Sequence, residues 1–284
     1  MRGKLRFSMT MVMAALFGSG AVRADEFEAR YRAIVADQGR VPEAERLHRL
    51  FEVDLAYTFA DSPETATFKG VRDHDTRWTD NSSAAVAARR RDAGRPLEVL
   101  RTIDRSRLTP ADRLNYDLFE WQAEDLSAGR RFAAELAQVT QLNGIHQDPA
   151  LVFGLMPNGS LAELETQLER LRALPKAVDE VVALLEEGLR RGFTPPQVTL
   201  REVPQQVRNQ IPDEAFKSPL LIGFNPLPAT VSAEDGLRLR AEAAKVYAEK
   251  VKPAYQRLEA FLTRRYLPGA RRTTAAAALP DGVA

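Results

Sequence analysis

The chain of 284 residues contains no cysteine, so disulfides and thiol chemistry are excluded. Only three histidines occur, His48, His74 and His146, and no two are four residues apart. No helix therefore offers a two-histidine metal face. The sequence downstream of the first 24 residues has no Gly-x-Ser-x-Gly elbow, which removes support for an α/β-hydrolase. A Gly-x-Gly-x-x-Gly turn and a Walker loop are also absent. So are Gly/Ser linkers and fixed-period repeats.

Net charge is nearly absent too, at a formal +1. That value hides a split. The first 24 residues carry Arg2, Lys4, Arg6 and Arg23 and no acid. Removing these four from 40 leaves 36 basic residues against 39 acidic ones. A mildly acidic body has no electrostatic footprint for nucleic acid. The amino end reads as a secretory leader: "MRGKLRF" is a basic stretch and "SMTMVMAALFG" a short apolar one. "AVRA" then sets Val22 and Ala24 where a signal peptidase reads, which predicts cleavage after Ala24. The apolar run is shorter than the about 20 residues of a membrane span. The expected protein is periplasmic or secreted, off the membrane once the leader is cut. Residues 1–24 are the leader and 25–284 a single helical domain.

Hydrophobic residues reach 44%, enough for a sizeable core. The patterning is helical almost throughout, and the predicted class is all-α with at most a short β element. "PEAERLHRLFEVDLAYTFA" sets Leu47, Leu50, Phe51 and Leu55 on one face, with His48 beside it as a partly buried helix residue. Residues 61–83 are rich in turn formers and charge, with Phe68 and Trp78 as candidates to pack the segment. Thr109, Ser160 and Ser232, each followed three residues on by an acid, predict helix starts. The first of these helices carries Leu114, Leu118, Trp121 and Leu126 as its apolar face. "RRFAAELAQV" reads as helical. Pro175 is expected to break the helix begun at Ser160, and Gly192 to end its continuation. "VTLREV" is the candidate strand. The helix after Ser232 carries Leu237, Tyr247, Val251, Tyr255, Leu258 and Leu262, with a kink at Pro253.

Two clusters bear on chemistry. "RDHDTRW" places Asp73, His74 and Asp75 together, but neighbouring side chains diverge on a helix or strand, so a loop hydrogen-bonded within itself is the preferred reading. "QLNGIHQDPA" gathers donors and acceptors around Gly144. Gln141, Asn143 and His146 are its candidate cleft-lining residues. The competing reading is local: Asn-Gly makes a turn and Asp-Pro opens the next helix. No catalytic or metal-ligating residue is assigned.

The order of four segments resembles the domain of unknown function 885 family, exported bacterial proteins inferred to be zinc metallopeptidases. They are "SPETATFKGVRDHDTRWTDNS", "QLNGIHQDPALVF", "LERLRALPKAVDEVVALLEEGLRRGFTPPQVTL" and "YLPGARRTTAAAALPDG". In the first, Asn81 follows Asp80, so the family's serine is shifted by one. The resemblance implies a mostly helical fold about twice this length, likened to M3-like and M32-like peptidases with a deep cleft. It implies zinc for the complete protein, held by a His-Glu-x-x-His helix beyond the segment ending in Leu-Pro-x-Gly. That motif is not in this sequence. The chain is thus expected to be the N-terminal cleft-forming half, without a cofactor of its own and inactive alone. Its partner would be the missing C-terminal catalytic half, its substrate peptide-like, and its exposed apolar flank the place where that half packs. The alternative is a complete, non-enzymatic helical binding or scaffold protein.

Overall fold

The computed structural model describes residues 20–280 and residue 282. Most of the expected leader lies outside them. The protein is all-α: among the described residues the only β feature is an isolated parallel bridge between Pro196 and Arg271.

A first hydrophobic core gathers α1 (Gly20–Ala36), α2 (Glu43–Asp61), α5 (Arg95–Leu100) and α6 (Pro110–Gly129). Phe27, Tyr31 and Ile34 of α1 meet Leu47, Leu50 and Val53 of α2, with Leu100 and Tyr116 closing the cluster. Buried Arg46 ties these pieces together. Its guanidinium donates to the Ile34 carbonyl at 3.0 Å and to the Thr102 carbonyl at 2.9 Å, and pairs with Glu43 at 2.7 Å. A buried cation is tolerated when its donors are satisfied in this way. The short helices α3 (Pro63–Phe68) and α4 (Ser83–Asp92) lie between α2 and α5 in sequence.

The larger core is built on α8 (Leu161–Arg191). Leu164, Leu168, Leu171, Val178, Val181 and Leu185 form its fully buried stripe. Each contributes roughly 1.5–3 kcal/mol by burial. Around it pack α7 (Asp148–Leu155), α9 (Val203–Gln210) and a long helix, α10. This last helix runs Ala233–Val246, widens into a π turn at Tyr247–Val251 and continues as Lys252–Phe261. A second π turn at Leu262–Tyr266 precedes its end at Leu267–Gly269. Each π turn ends two residues before a proline, Pro253 or Pro268. Proline has no N–H for the helix ladder and its ring crowds the carbonyl four residues back; the wide turn relieves both.

The three predicted caps form: the side-chain oxygens of Thr109, Ser160 and Ser232 accept from the main chain of Asp112, Glu163 and Asp235. Gly192 ends α8 in the left-handed conformation, φ +72°. Several expectations are overturned. Pro175 sits inside an unbroken α8, whose dense packing outweighs one lost hydrogen bond. Residues 131–140 supply only a 3₁₀ turn, Ala134–Ala137, pressed against Gly188 of α8; a Cβ there would lie 2.4 Å from the Leu136 carbonyl. The candidate strand is a 3₁₀ turn at Gln197–Thr199 followed by α9. Leu55 and Leu237 face solvent, and the buried side of α2 continues through Val53 instead. On α6 the predicted apolar face is the uncovered one: Leu114, Leu118, Trp121 and Leu126 are each more than half exposed, while Tyr116 and Ala123 point inward.

Candidate functional site

The loop preceding α7 holds the three residues singled out from sequence. Gly144 at its centre has φ +133°, and a Cβ there would lie 3.0 Å from the Gln138 carbonyl and 3.1 Å from His146 Nδ1. Only glycine fits both constraints. The sharp turn swings His146 fully inside. Its Nε2 lies 3.1 Å from Gln206 Oε1 of α9. The Gln206 amide is oriented by its own donation to the Gln141 carbonyl at 3.1 Å. Its oxygen must therefore face the imidazole, so Nε2 carries the proton and Nδ1 holds a lone pair with no donor. Burial pushes the His146 pKa down to about 4, against a smaller opposing effect of the Gln206 bond.

Gln141 and Asn143 lie exposed at the loop's outer edge. Asn143 Oδ1 accepts from Thr140 Oγ1 at 2.8 Å. The Gln141 N–H donates to the Thr199 carbonyl at 3.1 Å. Tyr255 of α10 donates its hydroxyl to the Ile145 carbonyl at 2.9 Å, and the Gly144 N–H donates to Asp148 at 2.9 Å. The structure thus brings Gln141 and His146 to one shared partner, Gln206, and leaves Asn143 on a local turn. Gln206 and Tyr255 tie the loop to α9 and α10.

The "RDHDTRW" segment also turns inward, but onto a cation. Asp75 is buried and accepts from Thr67 Oγ1 at 2.5 Å and from Arg170 Nη1 at 3.3 Å. Arg170 of α8 is fully buried, with its guanidinium 4.5 Å from the centre of the Trp78 ring. Burial lowers its pKa to about 10, with Glu64 and Asp75 opposing. His74 lies instead beside Arg77, 2.7 Å away, and Asp73 is exposed. His48 is exposed and meets Asp112 at 2.9 Å; its side of α2 is more open than its spacing suggested. Among the described residues no group of three or more His, Cys, Asp or Glu is placed to hold a metal. The residues present do not fit the zinc site that the resemblance implies for a complete protein, and no chemistry is routed through one.

A cavity of about 490 Å³ opens in the first core, between α1, α2, the α4–α5 junction and α6. Phe27, Tyr31, Tyr57 and Phe119 form aromatic walls, and Asp54, Arg95 and Arg130 lie along it. Phe27 and Tyr57 meet edge-to-face at 5.3 Å. Burial pushes the Tyr57 hydroxyl up to about 12 and raises the Asp54 carboxyl. Sequence reasoning passed over these residues. One signal was present: Asp54 stands seven residues after Leu47 and four after Leu50, where the helical period calls for an apolar side chain.

No curated protein matches the chain. A solved structure from Colwellia psychrerythraea, described as a "putative lipoprotein", shares the fold with a TM-score of 0.75 at 17% identity. The match covers 86% of this chain and 45% of that one, so this chain spans less than half the length of that neighbour. No described helix is long and apolar enough to cross a membrane. Residues 63–284, from α3 onward, match the family described as "Bacterial protein of unknown function (DUF885)", and the chain belongs to that family.

Proposed function

We propose that this chain is the helical, cleft-forming portion of a larger exported metallopeptidase-like protein, with the zinc-binding and general-base residues supplied by sequence outside it. The observation that carries this reading is the partial match: nearly all of this fold corresponds to under half of the Colwellia chain. The uncovered stripe Leu114, Leu118 and Trp121 on α6 is consistent with it, because a large apolar surface on a single chain marks a place where something packs. In this role the chain contributes a rigid wall and holds a peptide-like substrate. Export rests on the leader-like amino end.

The test is to express two products: residues 25–284, and the same gene read in frame past the Ala284 codon. The expected result is no peptide hydrolysis by the first and chelator-sensitive hydrolysis by the second. Chelator-sensitive hydrolysis by residues 25–284 alone would overturn the proposal, as would an inactive longer product. A second reading, a helical binding protein without catalysis, draws on the aromatic cavity. A stop codon directly after Ala284 would favour it.

A further inference from the structure

Among the described residues, Asp54 is the one acid lining the cavity between α1, α2 and α6 that has no basic side chain paired with it. Glu28 pairs with Arg95 at 2.5 Å, and Arg91 with Asp92 at 3.3 Å. Arg130 lies close enough to Asp92 and Tyr57 to feel both, and donates to the Arg90 carbonyl at 3.2 Å. Asp54 has no such partner. Among the described residues its carboxylate has one hydrogen bond, a long one from the Tyr31 hydroxyl at 3.4 Å, and no Lys or Arg pairs with it. A desolvated carboxylate held this way is costly unless something pairs with it. Its surroundings suit a cation with an apolar body. Tyr31 and Phe27 stand one turn apart on α1, Tyr57 one turn after Asp54 on α2, and Phe119 closes the wall from α6. Aromatic faces attract cations, and do so more strongly when water is excluded. A volume near 490 Å³ matches a small organic molecule.

We propose that this cavity is a binding site for a small organic ammonium compound, its charged nitrogen on Asp54 and its apolar body between Phe27, Tyr31, Tyr57 and Phe119. The site makes no use of Gln141, Asn143 or His146. It stands apart from the peptidase reading: failure of either leaves the other intact.

The experiment titrates residues 25–284 with three probes of one shape: 2-phenylethylammonium, neutral 2-phenylethanol and anionic 3-phenylpropionate. Isothermal titration calorimetry gives affinities, and protein-observed NMR reports whether shifts cluster on α1, α2 and α6. The expected result is saturable binding of the ammonium probe, at least tenfold tighter than either of the others. Asp54→Asn should weaken it at least tenfold while leaving the alcohol unchanged. Tyr57→Leu, which keeps the carboxylate, should weaken all three probes that bind. No saturable binding of the ammonium probe, equal affinity for the three, or an unchanged Asp54→Asn variant would each overturn the proposal.

Discussion

The indole Nε1 of Trp78 donates to the main-chain carbonyl of Arg170, 2.9 Å away and 92 residues later in the chain. Pro175, lacking an N–H, leaves the Leu171 carbonyl without its helical donor; the indole bonds the carbonyl one residue earlier. The Arg170 guanidinium lies 4.5 Å from the centre of the same ring. Trp78→Phe keeps the ring and loses the donor, so it should destabilise by about 1–3 kcal/mol. Trp78→Ala should cost about 3–5 kcal/mol. Urea unfolding followed by circular dichroism measures both. A cost near zero for Trp78→Phe would show that the hydrogen bond contributes nothing.

Asp75 and Arg170 should not respond alike. Asp75→Ala strands a fully buried guanidinium whose Nε and Nη2 already lack partners, and should cost about 3–5 kcal/mol. Arg170→Met leaves Asp75 with the Thr67 hydroxyl and with Arg72 at 3.5 Å. Its cost should be clearly smaller. The same unfolding experiment, run on both variants, fails this account if the order is reversed.

His146 makes stability depend on pH in a defined window. Above about pH 6.5 the imidazole is neutral in both folded and unfolded chains. As pH falls from there to about 4, the unfolded chain takes up a proton that the folded one refuses. Folding stability therefore declines through that window, and below it the loss is complete. The linkage predicts about 2 kcal/mol lost between pH 7 and pH 5 from this residue. His146→Gln should remove that part of the slope. Parallel pH profiles for the variant and the parent would count against a buried neutral imidazole.

The α6 stripe should behave as surface. Leu118→Gln and Trp121→Gln should change unfolding free energy by no more than about 0.5 kcal/mol, because both side chains are more than half exposed. They should also reduce binding of a hydrophobic dye to residues 25–284. A loss of several kcal/mol would mean the stripe is covered in solution.

Much of this fold could be read from local chemistry. The caps at Thr109, Ser160 and Ser232 and the Gly192 terminus depend on residues within one turn, and those formed as expected. Features set by distant packing were not legible. Periodicity identified an apolar face on α6 but carried no information on what lies against it. Pro175 weakens a helix locally, and only the stripe from Leu164 to Leu185 with Trp78 beside it shows why α8 continues. In the site, the density of donors and acceptors over residues 141–148 is plain from the sequence itself. Their partners, Thr199, Gln206 and Tyr255, come from 50 or more residues later in the sequence. Asp54 was hidden by its type: an acid in a helix reads as solvated unless its phase against Leu47 and Leu50 is checked.

The wide turns of α10 bear on how this helix tolerates changes of length. A π turn holds one residue more than an α turn while keeping the flanking segments in phase. Dropping one residue from Tyr247–Val251, together with Pro253→Ala, would return the ladder to ordinary spacing and leave Leu239 and Leu258 facing the same core. A single deletion in the middle of α8 has no such reserve. It would rotate everything beyond it by about 100° and turn half of that helix's buried stripe toward water.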